Sequence, residues 1–132
     1  MNISAEELLD SGADLSEALL PTIFNIFDEW SLSGADQMTL LGLANEKTLY
    51  NWKGEPAKAR ISRDQLERAS YLLGIYKALQ ILLPNETNAN NWLTVANDNQ
   101  FFNGMPPLNR MLGGKVLDLA EVRYFLDAER GG

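Results

Sequence analysis

The chain contains neither cysteine nor histidine among its 132 residues. The absence of cysteine excludes disulfides and thiolate metal sites. The absence of histidine removes the commonest general base, the usual zinc ligand and the Ser-His and Cys-His nucleophile pairs. An enzyme of this composition would depend on carboxylates, lysine or tyrosine. We therefore expect a binding protein that uses no metal, no cofactor and no small-molecule substrate.

Long apolar runs are missing as well. No stretch of the sequence is long and apolar enough to span a bilayer, which takes about 20 residues. Residues 1–7 lack the basic start and the long apolar stretch of a secretory signal peptide. We therefore expect a cytoplasmic protein that does not bind membranes.

Basic side chains are missing from the first third of the chain. Residues 1–45 carry eight acids and no lysine or arginine, whereas residues 46–80 carry seven bases and four acids. The net charge of −7 argues against attraction of nucleic acid to the whole surface. The basic block is either an ordinary solvated helix face or a local patch that contacts phosphates.

Strand signals are nearly missing too, and helix signals dominate, so the sequence predicts an all-α fold. We divide it into a helical extension (residues 1–19), a helix-turn-helix region (20–61), a long linking helix (62–84) and a small helical C-terminal domain (85–132). The extension begins at a capping box formed by Ser4.

Several helix boundaries are predicted from proline and capping residues. Pro21 is compatible with the first turn of a fresh helix. Residues 85–91 are a polar linker or the start of a helix, and residues 91–96 predict a brief helix. Asp118, followed by an acid three residues later, is predicted to cap the last helix.

Residues 34–52 predict two short helices joined by a tight turn. Ser33 precedes the first helix, Gly42 suits the left-handed position after it, and Asn45 can cap the second. This is the geometry of a helix-turn-helix. The side chains expected to hold the two helices together are Leu40, Leu43, Leu49 and Trp52.

A recognition helix presents polar side chains to base edges, and bases beside it contact phosphates. The candidates for such contacts are Asn45, Glu46, Lys47, Thr48, Asn51, Lys53, Lys58 and Arg60. The alternative is an ordinary pair of packed helices that does not touch DNA.

The last third of the chain is rich in aromatic side chains, methionine and glycine turns. Aromatics and methionine are typical of interface cores, but they are equally typical of a small hydrophobic core. Residues 127–132 are polar and end in two glycines. Such a segment can reach into a partner's cleft, with Arg130 supplying a guanidinium fork, or it can simply fray.

Three parts of the chain resemble one known family. Residues 27–33 and 40–53 resemble the helix-turn-helix region of Xre/MbcA/ParS-like antitoxins, and residues 67–79 are similar to the linking helix of that family. A third set resembles its toxin-binding domain: Trp92, Leu93, Asn97, Phe101, Gly104, Pro107, Leu108, Met111, Leu112, Gly114 and residues 124–132. The likeness covers about residues 20–132.

The resemblance implies the antitoxin of a type II toxin–antitoxin system. Its partner would be a RES-domain toxin that consumes NAD, and the antitoxin would cover the toxin's active site with its C-terminal helix and tail. The resemblance also implies a homodimer, a hetero-oligomer with the toxin, and repression of its own promoter through operator DNA. The implied toxin-binding residues are Trp92, Phe101, Phe102, Pro107, Leu108, Leu112, Tyr124, Asp127, Arg130, Gly131 and Gly132.

The charge distribution departs from the family pattern. Many repressors of this kind carry a basic DNA-facing surface, whereas here residues 1–45 lack bases and Glu46 opens the second helix. A carboxylate can accept a hydrogen bond from cytosine N4, but it also repels phosphate. An antitoxin is therefore the first hypothesis, a stand-alone helix-turn-helix transcriptional regulator the second, and a small enzyme the third.

Overall fold

The computed structural model describes residues 13–131, which form seven α-helices and three short 3-10 segments without any strand. The helices are α1 (Ala13–Glu29), α2 (Gly34–Leu41), α3 (Glu46–Gly54), α4 (Arg63–Leu82), α5 (Glu86–Asn91), α6 (Pro107–Met111) and α7 (Val116–Glu129). The predicted all-α fold is confirmed. The capping box at Ser4, most of the predicted extension and Gly132 lie outside the described residues. None of the described helices is long and apolar enough to cross a membrane.

The chain divides within α4 into two compact units, the first ending at Ser70 and the second beginning at Tyr71. The first unit contains α1, α2, α3 and the start of α4. Its core consists of the buried side chains Leu20, Ile23, Phe27, Trp30, Leu40, Leu41, Leu43, Leu49, Trp52 and Leu66. The predicted burial of the four side chains between α2 and α3 is confirmed.

Helix α1 continues without a break through Pro21, so the prediction that a fresh helix begins there is wrong. An internal proline removes one backbone hydrogen bond and costs about 3 kcal/mol. Leu20, Ile23 and Phe27 are fully buried on both sides of the exposed proline. Each buried side chain of this size contributes roughly 1.5–3 kcal/mol, so continuous burial of this face outweighs the lost bond.

The turn between α2 and α3 is built by the predicted capping residues. Ser33 Oγ accepts a hydrogen bond from the Asp36 amide at 3.1 Å. Gly42 adopts φ +69°, and the amide of the next residue, Leu43, donates to the Met38 carbonyl at 2.9 Å. These bonds satisfy backbone groups that helix ends leave unpaired. The predicted caps at both ends of α2 are confirmed.

Gly42 also leaves room for a buried arginine. The Arg68 side chain of α4 donates from Nε to Asp64 at 2.7 Å and from Nη1 to the Thr39 carbonyl at 3.4 Å, near the end of α2. Arg68 is 8% exposed, and a Cβ on Gly42 would lie 2.8 Å from its Nε. The sharp turn and the docking of α4 therefore depend on the same glycine.

The second unit contains the rest of α4 together with α5, α6 and α7. Residues 86–91 are helical because Asn85 Oδ1 accepts from the Asn88 amide at 3.1 Å and Ala89 is buried. The brief helix predicted over residues 91–96 is instead a 3-10 turn, Trp92–Thr94. The core of this unit consists of Leu72, Ile75, Leu79, Leu93, Phe102, Met111, Leu119, Val122 and Leu126.

The last helix begins before the position predicted for its cap. Asp118 lies inside α7, where its Oδ2 accepts from the Lys115 amide at 3.0 Å. The prediction that Asp118 is the cap residue is wrong by one helical turn. Its carboxylate still satisfies a backbone donor at the N-terminus of the helix, which explains why the sequence looks like a cap.

We expect Gly42→Ala to lower the free energy of unfolding by about 1–2 kcal/mol, because a side chain in the left-handed region is strained. The new methyl group would also displace the Arg68 guanidinium. Urea denaturation of the purified chain measures the loss.

Gly54→Ala is the matched control. Gly54 ends α3, and an added Cβ would meet no atom within 4 Å. We expect this variant to keep or gain stability by up to about 1 kcal/mol, since alanine favours a helix over glycine. Equal losses in the two variants would contradict the role assigned to the turn.

Candidate functional site

The first turn of α3 uses two of the predicted DNA-contacting side chains as its cap. Asn45 Oδ1 accepts from the Thr48 amide at 2.9 Å and from the Thr48 hydroxyl at 3.0 Å. A carbonyl oxygen has two lone pairs, and both are used here. The remaining hydrogen-bonding capacity of Asn45 is its side-chain NH₂ group.

The outward face of α3 lies opposite the buried side chains of Leu49 and Trp52. Four exposed residues lie on it: Glu46, Lys47, Tyr50 and Asn51. Sequence reasoning selected three of them and missed Tyr50, which is 62% exposed. The signal that could have found it is its spacing of four residues from Glu46, which places the two side chains on one face.

Tyr50 and Glu46 are joined by a hydrogen bond. The phenol hydroxyl donates to Glu46 Oε1 at 3.2 Å. This bond, and then the negative charge of the carboxylate, raises the pKa of Tyr50 above its ordinary value. The phenol therefore stays protonated, and remains a donor, well above neutral pH.

The predicted phosphate-contacting bases lie near partners within the chain. Lys53 Nζ lies 5.3 Å from the centroid of the Phe24 ring, within the range of a cation–π contact. Lys58 Nζ lies 2.8 Å from Glu55 Oε2, and this hydrogen bond raises the pKa of Lys58. Such exposed ion pairs are weak, so a phosphate can compete for the lysine.

Three of the predicted DNA-contacting residues line one shallow groove. Thr48, Asn51 and Lys58 border it, together with Trp52 and Glu55, and its volume is about 410 Å³. The structure therefore brings the middle of α3 next to the 3-10 segment Pro56–Lys58. Arg60 is exposed but does not line this groove.

Four aromatic rings form one cluster in the second unit. Phe101 stacks on Phe125 with centroids 5.4 Å apart and contacts Phe102 edge-on at 4.8 Å. Trp92 contacts Phe102 at 5.6 Å. Sequence reasoning selected three of these rings and missed Phe125, whose role depends on the packing of α7 against the preceding loop.

Arg110 ties the aromatic cluster to α7. Its Cζ lies 4.2 Å from the centroid of the Phe101 ring, and its Nε donates to Glu121 Oε2 at 3.1 Å, with a second bond from Nη2. Stacking on an aromatic face and pairing with a carboxylate is the geometry for which arginine is suited. Neither Arg110 nor Glu121 was predicted as a site residue.

Two family models match the chain, one over each of its two compact units. Residues 5–74 match the Antitoxin Xre-like helix-turn-helix domain, and residues 78–132 match the Antitoxin Xre/MbcA/ParS C-terminal toxin-binding domain. The chain belongs to the Xre/MbcA/ParS antitoxin family. This antitoxin is also similar to the uncharacterized protein y4oB of Sinorhizobium fredii (strain NBRC 101917 / NGR234), with 44% identity over 115 residues. The match covers 87% of this chain and 86% of the relative.

The predicted partner-binding residues of this antitoxin differ in exposure. Three are buried: Phe102, Pro107 and Leu108. Four are half-buried: Trp92, Phe101, Leu112 and Asp127. Three are exposed: Tyr124, Arg130 and Gly131. A partner that docks on this unit meets the exposed group directly, whereas the buried group supports the surface from within.

The outer face of α7 carries two large apolar side chains. Leu117 is 60% exposed and Tyr124 is 58% exposed, and their spacing of seven residues places them on the same face of the helix. The Tyr124 ring contacts Tyr71 edge-on at 6.3 Å. Both side chains are accessible to a partner. Leu117 was not predicted as a site residue.

The end of α7 holds an arginine–aspartate–arginine cluster. Arg123 Nε donates to both carboxylate oxygens of Asp127 at 3.0 and 3.1 Å, and Arg130 Nη1 lies 3.7 Å from the same carboxylate. A Cβ on Gly74 of α4 would overlap the Arg123 guanidinium. Gly131, with φ +87°, follows the helix. Asp127 is therefore engaged by its neighbours, whereas Arg130 keeps donors that face solvent.

We expect Phe125→Ala to lower the free energy of unfolding by about 2–4 kcal/mol, because it removes the ring that contacts the other three aromatics. Tyr124→Ala is the matched control one residue earlier, and we expect it to cost less than about 1 kcal/mol. Urea unfolding curves compare the two. Equal losses would show that the cluster does not hold α7 in place.

Proposed function

We propose that this antitoxin neutralises a cognate RES-domain, NAD-consuming toxin by covering its active site with α7 and residues 130–132. The match of residues 78–132 to a toxin-binding domain supports a toxin partner. The class of toxin rests on the resemblance described for the sequence. The observation that carries the proposed geometry is α7 itself, whose inner side packs in the aromatic cluster and whose outer side exposes Tyr124.

Some of these residues contact the toxin in this scheme, and others support the contacting surface from the core. Tyr124, Arg130 and Gly131 contact the toxin, and Asp127 holds Arg130 in place. Phe102, Pro107 and Leu108 support the surface from the core. Trp92 and Phe125 border an open groove of about 300 Å³, so the edge of the aromatic cluster remains accessible to a partner. The antitoxin acts by association in this scheme and carries out no chemical step.

We further propose that a dimer of the chain represses its own promoter. The match of residues 5–74 to an antitoxin helix-turn-helix domain and the exposed polar face of α3 support operator binding. Two α3 helices on a symmetric dimer would enter successive major grooves about 34 Å apart. A stand-alone transcriptional regulator is the alternative, because the helix-turn-helix match requires no toxin.

Arg130→Ala is expected to weaken toxin binding by about 30-fold or more, since removing one partner of a buried charged contact costs roughly 2–5 kcal/mol. Deletion of residues 127–132 should abolish protection when the chain is co-expressed with a RES-domain toxin. The Kd of the purified toxin for each variant measures binding, and cellular NAD content with colony growth measures protection.

Lys115→Ala serves as the control for a lost positive charge, since Lys115 is exposed and precedes α7. It should protect as well as the unchanged chain. Full protection by the deletion variant would contradict occlusion by the tail. Absence of any RES-domain toxin partner would favour the stand-alone regulator.

Binding to DNA from upstream of the gene should weaken steeply with salt, because phosphate contacts release counterions. We expect Lys47→Ala to weaken binding to all sequences alike and to reduce the salt dependence by about one ion. Fluorescence anisotropy over a series of salt concentrations measures both effects. If the unchanged chain does not bind this DNA at low salt, autoregulation and the stand-alone regulator both fail.

A further inference from the structure

The outward face of α3 carries two pairs of side chains spaced four residues apart. Glu46 pairs with Tyr50 through the 3.2 Å hydrogen bond, and Lys47 lies one turn before Asn51. Side chains with this spacing are neighbours on a helix surface. The first pair places a carboxylate and the phenol that donates to it at the start of the helix, where recognition helices meet base edges.

Two of the other predicted base-reading groups at the start of α3 already form its cap. Asn45 Oδ1 and the Thr48 hydroxyl form the cap, and bidentate recognition of adenine needs that oxygen. Lys53 lies over the Phe24 ring instead of extending along the outward face. Glu46 is therefore an exposed acceptor on this face that receives a hydrogen bond from a neighbouring side chain.

A carboxylate on this face favours cytosine over the other bases, but it lowers the affinity for DNA as a whole. It accepts a hydrogen bond from the N4 amino group of cytosine, and it repels the phosphates of any sequence. Tyr50 donates a hydrogen bond to Oε1 of this carboxylate. The other oxygen, Oε2, is the one proposed to accept from a base.

We propose that Tyr50 is a positioning residue that holds the Glu46 carboxylate for recognition of a cytosine amino group in the major groove. This inference rests on the proposed DNA binding and adds to it the source of discrimination at one base pair. Lys47 strengthens binding to DNA of any sequence. The Glu46–Tyr50 pair favours one base pair over the others without strengthening binding overall.

The competing explanation is that the pair only stabilises the helix. An acidic side chain in the first turn interacts favourably with the helix dipole, and a tyrosine one turn later can pack on it. In that case, loss of the phenol hydroxyl would change thermal stability and leave the base preference unchanged.

The test selects binding sequences for the full chain from a pool of random duplex DNA, so that no operator has to be known. The unchanged protein should enrich a motif that contains one C·G position read by Glu46 in each half-site. Glu46→Gln should reduce the preference at that position at least fivefold and bind non-specific DNA more tightly. Tyr50→Phe should weaken the preference at the same position and no other.

Two further variants show whether Tyr50 acts through Glu46. The double variant Glu46→Ala/Tyr50→Phe should have the same base preferences as Glu46→Ala alone, because a hydroxyl without an acceptor at residue 46 has nothing to position. Glu86→Gln removes a carboxylate from the exposed first turn of α5 in the other unit and should leave the selected motif unchanged.

The outcomes separate this inference from the proposed function. A motif that Tyr50→Phe and Glu46→Gln select as strongly as the unchanged chain would overturn the inference and leave operator binding intact. Additive effects in the double variant would overturn the positioning role of Tyr50. Failure of the unchanged chain to enrich any sequence would overturn both the inference and DNA binding.

Discussion

A glycine that makes room for a guanidinium recurs in both units. Gly42 leaves space for Arg68 in the first unit, and Gly74 leaves space for Arg123 in the second. Each arginine is paired with an aspartate one turn away on its own helix. A guanidinium can be removed from water only when its donors find partners. In the first unit the buried Arg68 joins the turn before α3 to α4, and in the second the half-buried Arg123 lies against α4 beside Gly74.

Helix α7 packs one side against the aromatic cluster and exposes the other side. Phe125 faces the aromatic cluster, whereas Tyr124, one residue earlier, faces outward. Arg110 completes the supporting side through its contacts with Phe101 and Glu121. A helix held this firmly can present its outer side to a toxin without rearranging, which lowers the entropic cost of association.

Features encoded by neighbouring residues could be predicted from the sequence, and features that depend on distant contacts could not. The caps Ser33, Gly42 and Asn45 follow local rules and were predicted correctly. Pro21 was misread because the burial around it outweighs its local preference. Phe125 was missed because aromatic side chains look alike in sequence whether they support a surface or form it. Arg110 and Glu121 are brought together only by the tertiary fold, so no local sequence pattern predicts their pairing.

Amide hydrogen exchange of the intact chain, alone and mixed with a RES-domain toxin, tests the proposed neutralisation most directly. The account predicts that the toxin slows exchange in residues 124–131 of the second unit. It predicts no comparable change in α3, since the outward face of that helix is assigned to DNA. Protection confined to the first unit, with α7 exchanging as in the free chain, would contradict neutralisation through the outer side of α7.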